Sequence, residues 1–162
     1  MRLSTLIASG LGVGYFPFAP GTAMSVVAVL LATWIGLYGG GLALLAAAIV
    51  ACIAGVVACE DHIRATGRQD PSECVIDELA GQWLACAFAL FTFGGVLPPA
   101  ENPWAEFLLA FLFFRLFDIV KPWPVGWADR SIAGGLGVMA DDMIAGLMAG
   151  LLVALARLAM PL

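Results

Sequence analysis

The chain has 162 residues, 62% of them hydrophobic and only 12% charged, with a mean hydropathy of +1.01. A soluble globular domain is about a quarter charged, so the composition excludes that class and points to a membrane-embedded chain. The formal net charge of −5 argues against a nucleic-acid partner, and the length suits one helical bundle over residues 1–162 with no separate soluble domain.

The N-terminal segment is apolar but broken. Arg2 precedes it, Gly10, Gly12, Gly14, Pro17 and Pro20 interrupt it, and no small-residue cleavage site follows. It is expected to stay attached as an interfacial or re-entrant piece over residues 3–20. Pro20-Gly21 then reads as a turn and Thr22 as a helix N-cap, although a helix N-terminus can also bind an anion. A membrane helix needs about 20 mostly apolar residues. Spans are expected at 22–38 and 41–59, joined by a tight, uncharged turn at Gly39–Gly41. His62, the only histidine, follows among Glu60, Asp61 and Arg64 and reads as part of a solvated face. "DPSECVIDELAG" (Asp70–Gly81) combines a turn with the acid pair Asp77-Glu78 and opens a third span, 79–97. The next loop carries only Glu101. A fourth span, 105–120, has Arg115 and Asp118 in its last turns. Lys121 follows, and Pro122 and Pro124 end the helix. Trp123 and Trp127 suit a membrane interface. "GGLG" (Gly134–Gly137) reads as a flexible loop, and Asp141-Asp142 then stands before a fifth span, 143–160. The four cysteines form no CxxC pair and read as small apolar packing residues.

The expected fold is thus all-α: a polytopic membrane bundle of about five transmembrane helices plus the N-terminal piece. Lysine and arginine mark the cytoplasmic side. Arg2, Arg64, Arg68, Arg115, Lys121 and Arg130 place the N-terminus inside and the C-terminus outside, and Arg157 is left to snorkel to the far interface. Most charge falls in three stretches: eight residues between Glu60 and Glu78, five between Arg115 and Arg130, and Asp141 with Asp142. All three meet at the cytoplasmic face, and ionisable groups at membrane depth are costly and usually functional.

Aspartates at a helix N-terminus can simply cap it. Two in a row ask for more. At helical spacing Asp142 shares a face with Gly146, Gly150 and Ala154, and Asp141 with Ala145 and Ala149. Glu78 shares one with Gly81, Ala85 and Ala89. Small residues mark the side where helices approach closely, so these carboxylates point into the bundle. Clustered carboxylates with few nitrogen or sulfur ligands favour a hard ion such as Mg2+. Arg115, Lys121 and Arg130 can hold a phosphate. Metal, carboxylates and basic groups together suit phosphate-ester hydrolysis at a lipid headgroup.

"SGLGVGYFPFAPGT", "DPSECVIDELAG", "FRLFDIVKPWPVGWADR" and "GGLGVMADDMIAG", in that order, resemble the phosphatidylglycerophosphatase A family. The resemblance implies an all-helical enzyme of the bacterial inner membrane. It would convert phosphatidylglycerophosphate to phosphatidylglycerol with Mg2+, and its partners would be that substrate and the surrounding membrane lipids. The family's motifs fall on Pro20-Gly21-Thr22, Asp77-Glu78, Arg115 with Asp118, Lys121-Pro122 and Asp141-Asp142. The chain departs at Met24, where glycine is common in the family, and at Cys74, where isoleucine is. The implied assignment gives Glu78, Asp118, Asp141 and Asp142 the metal and Asp77 a ligand or general-base role. Thr22, Arg115, Lys121 and Arg130 take the phosphate. An aspartyl-phosphate intermediate and a homo-oligomer stay open. The alternative is a proton- or cation-coupled transporter using the same acids, although no internal repeat is visible. A histidine-dependent phosphatase is excluded by the single His62.

Overall fold

A computed structural model describes residues 2–68, 71–91 and 103–159. The end of the expected 79–97 span, the loop carrying Glu101, Asp70 and Met160 lie outside the described residues. Those described form helices and connections, with no strand among them: α1 (Leu3–Ala8), a 3₁₀ turn (Val13–Tyr15), α2 (Pro20–Thr66), α3 (Ile76–Leu90), α4 (Pro103–Val120), α5 (Val125–Ser131) and α6 (Gly134–Ala159).

α2 is a helical hairpin. Gly40 takes φ 67°, ψ −168°, a conformation open essentially to glycine, and there the chain reverses. A methyl group on Gly36 would lie 3.5 Å from Leu44, closer than one straight helix allows. Gly21 in the first arm and Gly55 in the second both abut the start of α3, at Glu78 and Ile76 respectively. The expected break at Gly39–Gly41 is therefore where the two arms meet. α3 packs chiefly between α2 and α6, and α4 lies against α6 and α3. Alanines at 32, 85, 87, 89, 110, 145 and 149 fill the core with Leu44, Phe107 and Phe114. α2 and α6 are long and apolar enough to cross a membrane.

α3 and α6 cross backbone to backbone. A methyl group on Gly81 would stand 2.5 Å from the Asp142 carbonyl, and one on Gly146 would strike the Gly81 carbonyl. The small-residue faces read from spacing are this contact, and it brings Asp77-Glu78 beside Asp142.

Four expectations are corrected. Thr22 is not an N-cap: α2 begins at Pro20 with Ala19 as its cap residue, because proline suits the first helical position, so Pro20-Gly21-Thr22 is the first turn of the helix. "GGLG" is no flexible loop: α6 begins at Gly134, so Asp141 and Asp142 sit about two turns inside a helix, where they cannot cap it. The Glu60 carboxylate accepts the Gly135 N–H at 2.8 Å, which satisfies an early orphan donor. A side chain at Gly135 would strike the Val56 carbonyl, so glycine lets α6 start against α2. His62 is buried, not solvated. Its ring lies 3.2 Å from the Thr5 hydroxyl and 3.0 Å from Glu73, joining α1, α2 and the lead-in to α3. Arg157 does not snorkel. It is 3% exposed, pairs with fully buried Glu106 at 3.4 Å and donates to the Ala89 and Phe91 carbonyls. A partner carboxylate inside the bundle holds it better than a distant interface.

The N-terminal segment is shorter than a span. α1 has six residues, about 9 Å of helix, and lies along the second arm of α2. All four cysteines are free thiols, and three are buried in the packing as expected.

Candidate active site

At one end of the bundle a cavity of about 520 Å³ opens between the start of α2, the start of α3, the end of α4, residues 129–134 and α6. Thr22, Asp77, Glu78, Arg115, Asp118, Lys121, Arg130, Asp141 and Asp142 all line it. Every candidate residue read from the sequence comes to this one place.

The acids fall into two groups. Asp77, Glu78 and Asp142 each offer a carboxylate oxygen, and the three oxygens lie within 4.8 Å of one another. Asp77 Oδ1 accepts the Glu78 N–H at 3.0 Å, a local first-turn contact, but Glu78 Oε2 and Asp142 Oδ2 are buried with no hydrogen-bond partner. Asp118 and Asp141 are each matched by a base. Asp118 pairs with Arg115 at 2.6 Å, and Asp141 with Lys121 at 3.0 Å. The tight carboxylate triad therefore includes Asp77, while Asp118 and Asp141 adjoin it.

The bases are held in different ways. Arg115 also reaches Glu78 at 4.0 Å and donates to Ser25 Oγ at 3.5 Å, and its Nε is buried and unpartnered. Lys121 sits between Asp141 and Asp129. Burial works against its ammonium, but the hydrogen bonds to Asp129 and Asp141 more than offset this and raise it above the ordinary lysine range. Its backbone has φ +48°, a strained conformation for a non-glycine residue, fixed where the chain turns into Pro122. Arg130 is exposed at the rim and makes no ion pair among the described residues.

Two residues of the site carried no individual sequence signal. Ser25 is fully buried, donates to the Gly21 carbonyl at 3.0 Å and receives Arg115. It lies three residues after Thr22, and only the tertiary contact with α4 gives it a task. Asp129 lies beyond two prolines, so no helical spacing relates it to Lys121. A methyl group on Gly21 would meet the Glu78 carboxylate and displace it, so glycine here leaves room for that side chain in the site.

Three carboxylates converging around unpartnered buried oxygens cost free energy without a counter-charge. An all-oxygen donor set of this kind suits a hard divalent cation. The orphaned oxygens of Glu78 and Asp142 are where such an ion fits. With guanidinium and ammonium groups on the same cavity wall, the arrangement is that of an acid-lined site for a phosphate ester in an all-helical protein.

The sequence pattern of the family "Phosphatidylglycerophosphatase A" matches residues 6–157. The chain belongs to this family and is a lipid phosphatase of that type. A protein of Escherichia coli strain K12 named phosphatidylglycerophosphatase A is 34% identical over 148 residues, covering 91% of this chain and 80% of its own. One of the same name from Haemophilus influenzae is 31% identical, covering 91% and 85%. A Bacteroides thetaiotaomicron protein, provisionally named phosphatidylinositol-3-phosphatase, is 36% identical, covering 96% and 94%. No solved structure matches the chain.

Proposed function

We propose that the protein hydrolyses the terminal phosphomonoester of phosphatidylglycerophosphate, giving phosphatidylglycerol and inorganic phosphate, with Mg2+ held by Asp77, Glu78 and Asp142. The carboxylate triad with its unpartnered oxygens carries the reading. Asp118 and Asp141 complete the acidic wall, each balanced by a base until substrate enters. When bound, Mg2+ draws negative charge off the phosphate oxygens and lowers the pKa of a water.

The remaining roles belong to the chain's own groups. Arg130, unpaired at the rim, meets the incoming phosphate first. Arg115 holds Glu78 and Asp118 in place and has Nε–H left to give. Lys121 contributes its charge beside Asp141. Thr22 and the first backbone N–H groups of α2 face the same cavity, where a helix N-terminus favours an anion. A carboxylate of the triad takes the proton of the attacking water as the water oxygen bonds to phosphorus; the bond from phosphorus to the glycerol oxygen breaks, and that oxygen leaves as the alcohol with the proton returned by the same carboxyl.

The two arms of α2 and helix α6 support a multi-pass placement in a bacterial cytoplasmic membrane. α4 (18 residues) and α3, which ends at Leu90 with Phe91 already extended, would be the other two spans of a five-span bundle. Basic residues concentrate at the cavity end, which supports a cytoplasmic site and a cytoplasmic N-terminus.

The test is phosphate release from phosphatidylglycerophosphate by purified protein in detergent, with Mg2+ and then with EDTA. The reading expects release that needs Mg2+, and no release in either condition would overturn it. The Bacteroides relative's name favours one second substrate, phosphatidylinositol 3-phosphate, to be run in parallel. Faster turnover of that lipid would reassign the headgroup while keeping the chemistry.

A further inference from the structure

Two groups of large apolar side chains stand at the charged end of the bundle. Phe18 (77% exposed), with Phe16 and Tyr15, lies in the segment before α2, and Trp123 (82% exposed), with Trp127, lies in the turn after α4 and on α5. Most other exposed apolar side chains lie on the helical arms, where hydrocarbon would cover them. Phe18 and Trp123 lie past the helix ends, level with the arginines and carboxylates. Rings at that level suit the headgroup layer of a bilayer, which accepts an apolar body beside polar groups.

Their position relative to the cavity is specific. Phe18 immediately precedes the wall formed by residues 19–22, and Trp123 stands two residues after Lys121 in another wall. The helices beneath them are neighbours, since Arg115 on α4 reaches Ser25 on α2 at 3.5 Å. Two other walls of the cavity are tied to neighbouring elements by hydrogen bonds from backbone N–H groups. The lead-in to α3 is tied to α1 by the Val75 N–H to Ala8 carbonyl bond at 2.9 Å. The start of α6 is tied to α2 through Glu60 and Gly135.

We propose that the gap between the start of α2 and the end of α4, flanked by Phe18 and Trp123, is a lateral portal for a diacyl phospholipid of the bilayer. The phosphorylated headgroup passes between the two rings toward Arg115 and Lys121. The acyl chains stay in the membrane along the exposed outer faces of both helices, at Leu30 and Ile119. This inference rests on the phospholipid-phosphatase reading above.

The experiment compares wild type with the double variant Phe18→Ser/Trp123→Ser on two substrates. One is long-chain phosphatidylglycerophosphate embedded in phosphatidylglycerol vesicles. The other is its dihexanoyl form, presented as dissolved monomers. The portal predicts that the double variant loses about tenfold or more in rate on vesicles, as expected if interfacial ring contacts worth about 1.4 kcal/mol are lost. Its rate on monomers should stay within about twofold, since catalytic groups are untouched. Equal loss on both substrates would mean that the rings support the fold or the site, and would overturn the portal. So would unchanged rates on both. Inactivity of wild type on both substrates would overturn the phosphatase reading as well, a result unlike either of those.

Discussion

Asp142 is 3% exposed, one of its oxygens has no partner, and Asp77 and Glu78 offer oxygens within 4.8 Å. Asp142→Asn keeps the shape and removes one of three mutually repelling charges. Phosphate release should fall by more than the roughly 10–100-fold that losing only an outer-shell partner of a metal ligand costs, while the thermal midpoint in EDTA holds or rises. Initial rates and a melting curve on the same preparation check both halves, and near-normal turnover would remove Asp142 from the site. Arg157 gives the opposite pattern. Arg157→Met leaves the Glu106 carboxylate buried without its counter-charge, at a cost of about 3–5 kcal/mol. Arg157 does not line the cavity, so turnover per folded molecule should hold. Glu73 supplies a pH signature. Burial opposes its ionisation, but the hydrogen bond from His62 and the charge of Arg68 more than offset that and hold its carboxyl below the ordinary range. A depressed folded-state value stabilises above the unfolded carboxylate pKa of about 4.3 and is lost as pH falls through the folded value. Glu73→Gln should therefore melt lower than wild type at pH 7, and the two curves should converge as the solution is acidified.

The helix pair α3 and α6 turns separate motifs into a site. Because Gly146 lies directly under the Gly81 carbonyl, Gly146→Ala must push the helices apart at the level of Asp142. The expected cost is about 1–3 kcal/mol for overpacking, with a larger fall in rate than that loss of stability explains. Gly150→Ala is the control. Its methyl group would crowd Phe88 at 2.6 Å, one turn farther from the acids, so stability should drop while the rate per folded molecule stays closer to wild type. If Gly150→Ala impaired the rate as much as Gly146→Ala, the crossing would not be what sets the triad. This crossing was legible in the sequence because small residues recur at helical spacing behind Glu78 and Asp142. The turn at Gly40 was legible for a related reason, a glycine run between two apolar stretches. What spacing could not give was contact between distant segments. The start of α6 depends on a carboxylate 75 residues upstream. His62 finds Thr5 57 residues before it, and Arg157 finds the carbonyls of α3 across the bundle. Local composition at Gly134, His62 and Arg157 suggested loop, solvent and interface, and tertiary partners overrode it each time.

At the scale of the whole molecule, the bundle gathers Asp77, Glu78, Asp118, Asp141 and Asp142 into one cavity with three basic groups, within a chain of net charge −5. Arg115 is shared between Asp118 and Glu78, and Lys121 between Asp141 and Asp129, so the bases do not neutralise the acids and the triad keeps excess negative charge. Folding without a cation therefore works against repulsion among Asp77, Glu78 and Asp142, and a cation that binds only the folded state adds stability by mass action. At a concentration about 100 times its dissociation constant the gain is about 2.7 kcal/mol. Mg2+ should thus raise the thermal midpoint of the detergent-purified protein in a saturable way, and EDTA should reverse it. The effect should persist without substrate, so it reports the metal site independently of turnover. Asp142→Asn should lose most of the Mg2+ response even though its midpoint in EDTA is no lower than that of wild type. Arg130→Gln should keep the full response, because Arg130 stands at the rim and touches no member of the triad. A wild-type midpoint indifferent to Mg2+, with phosphate release equally indifferent to EDTA, would mean that the triad holds its charge in some other way, and the metal assignment would fall.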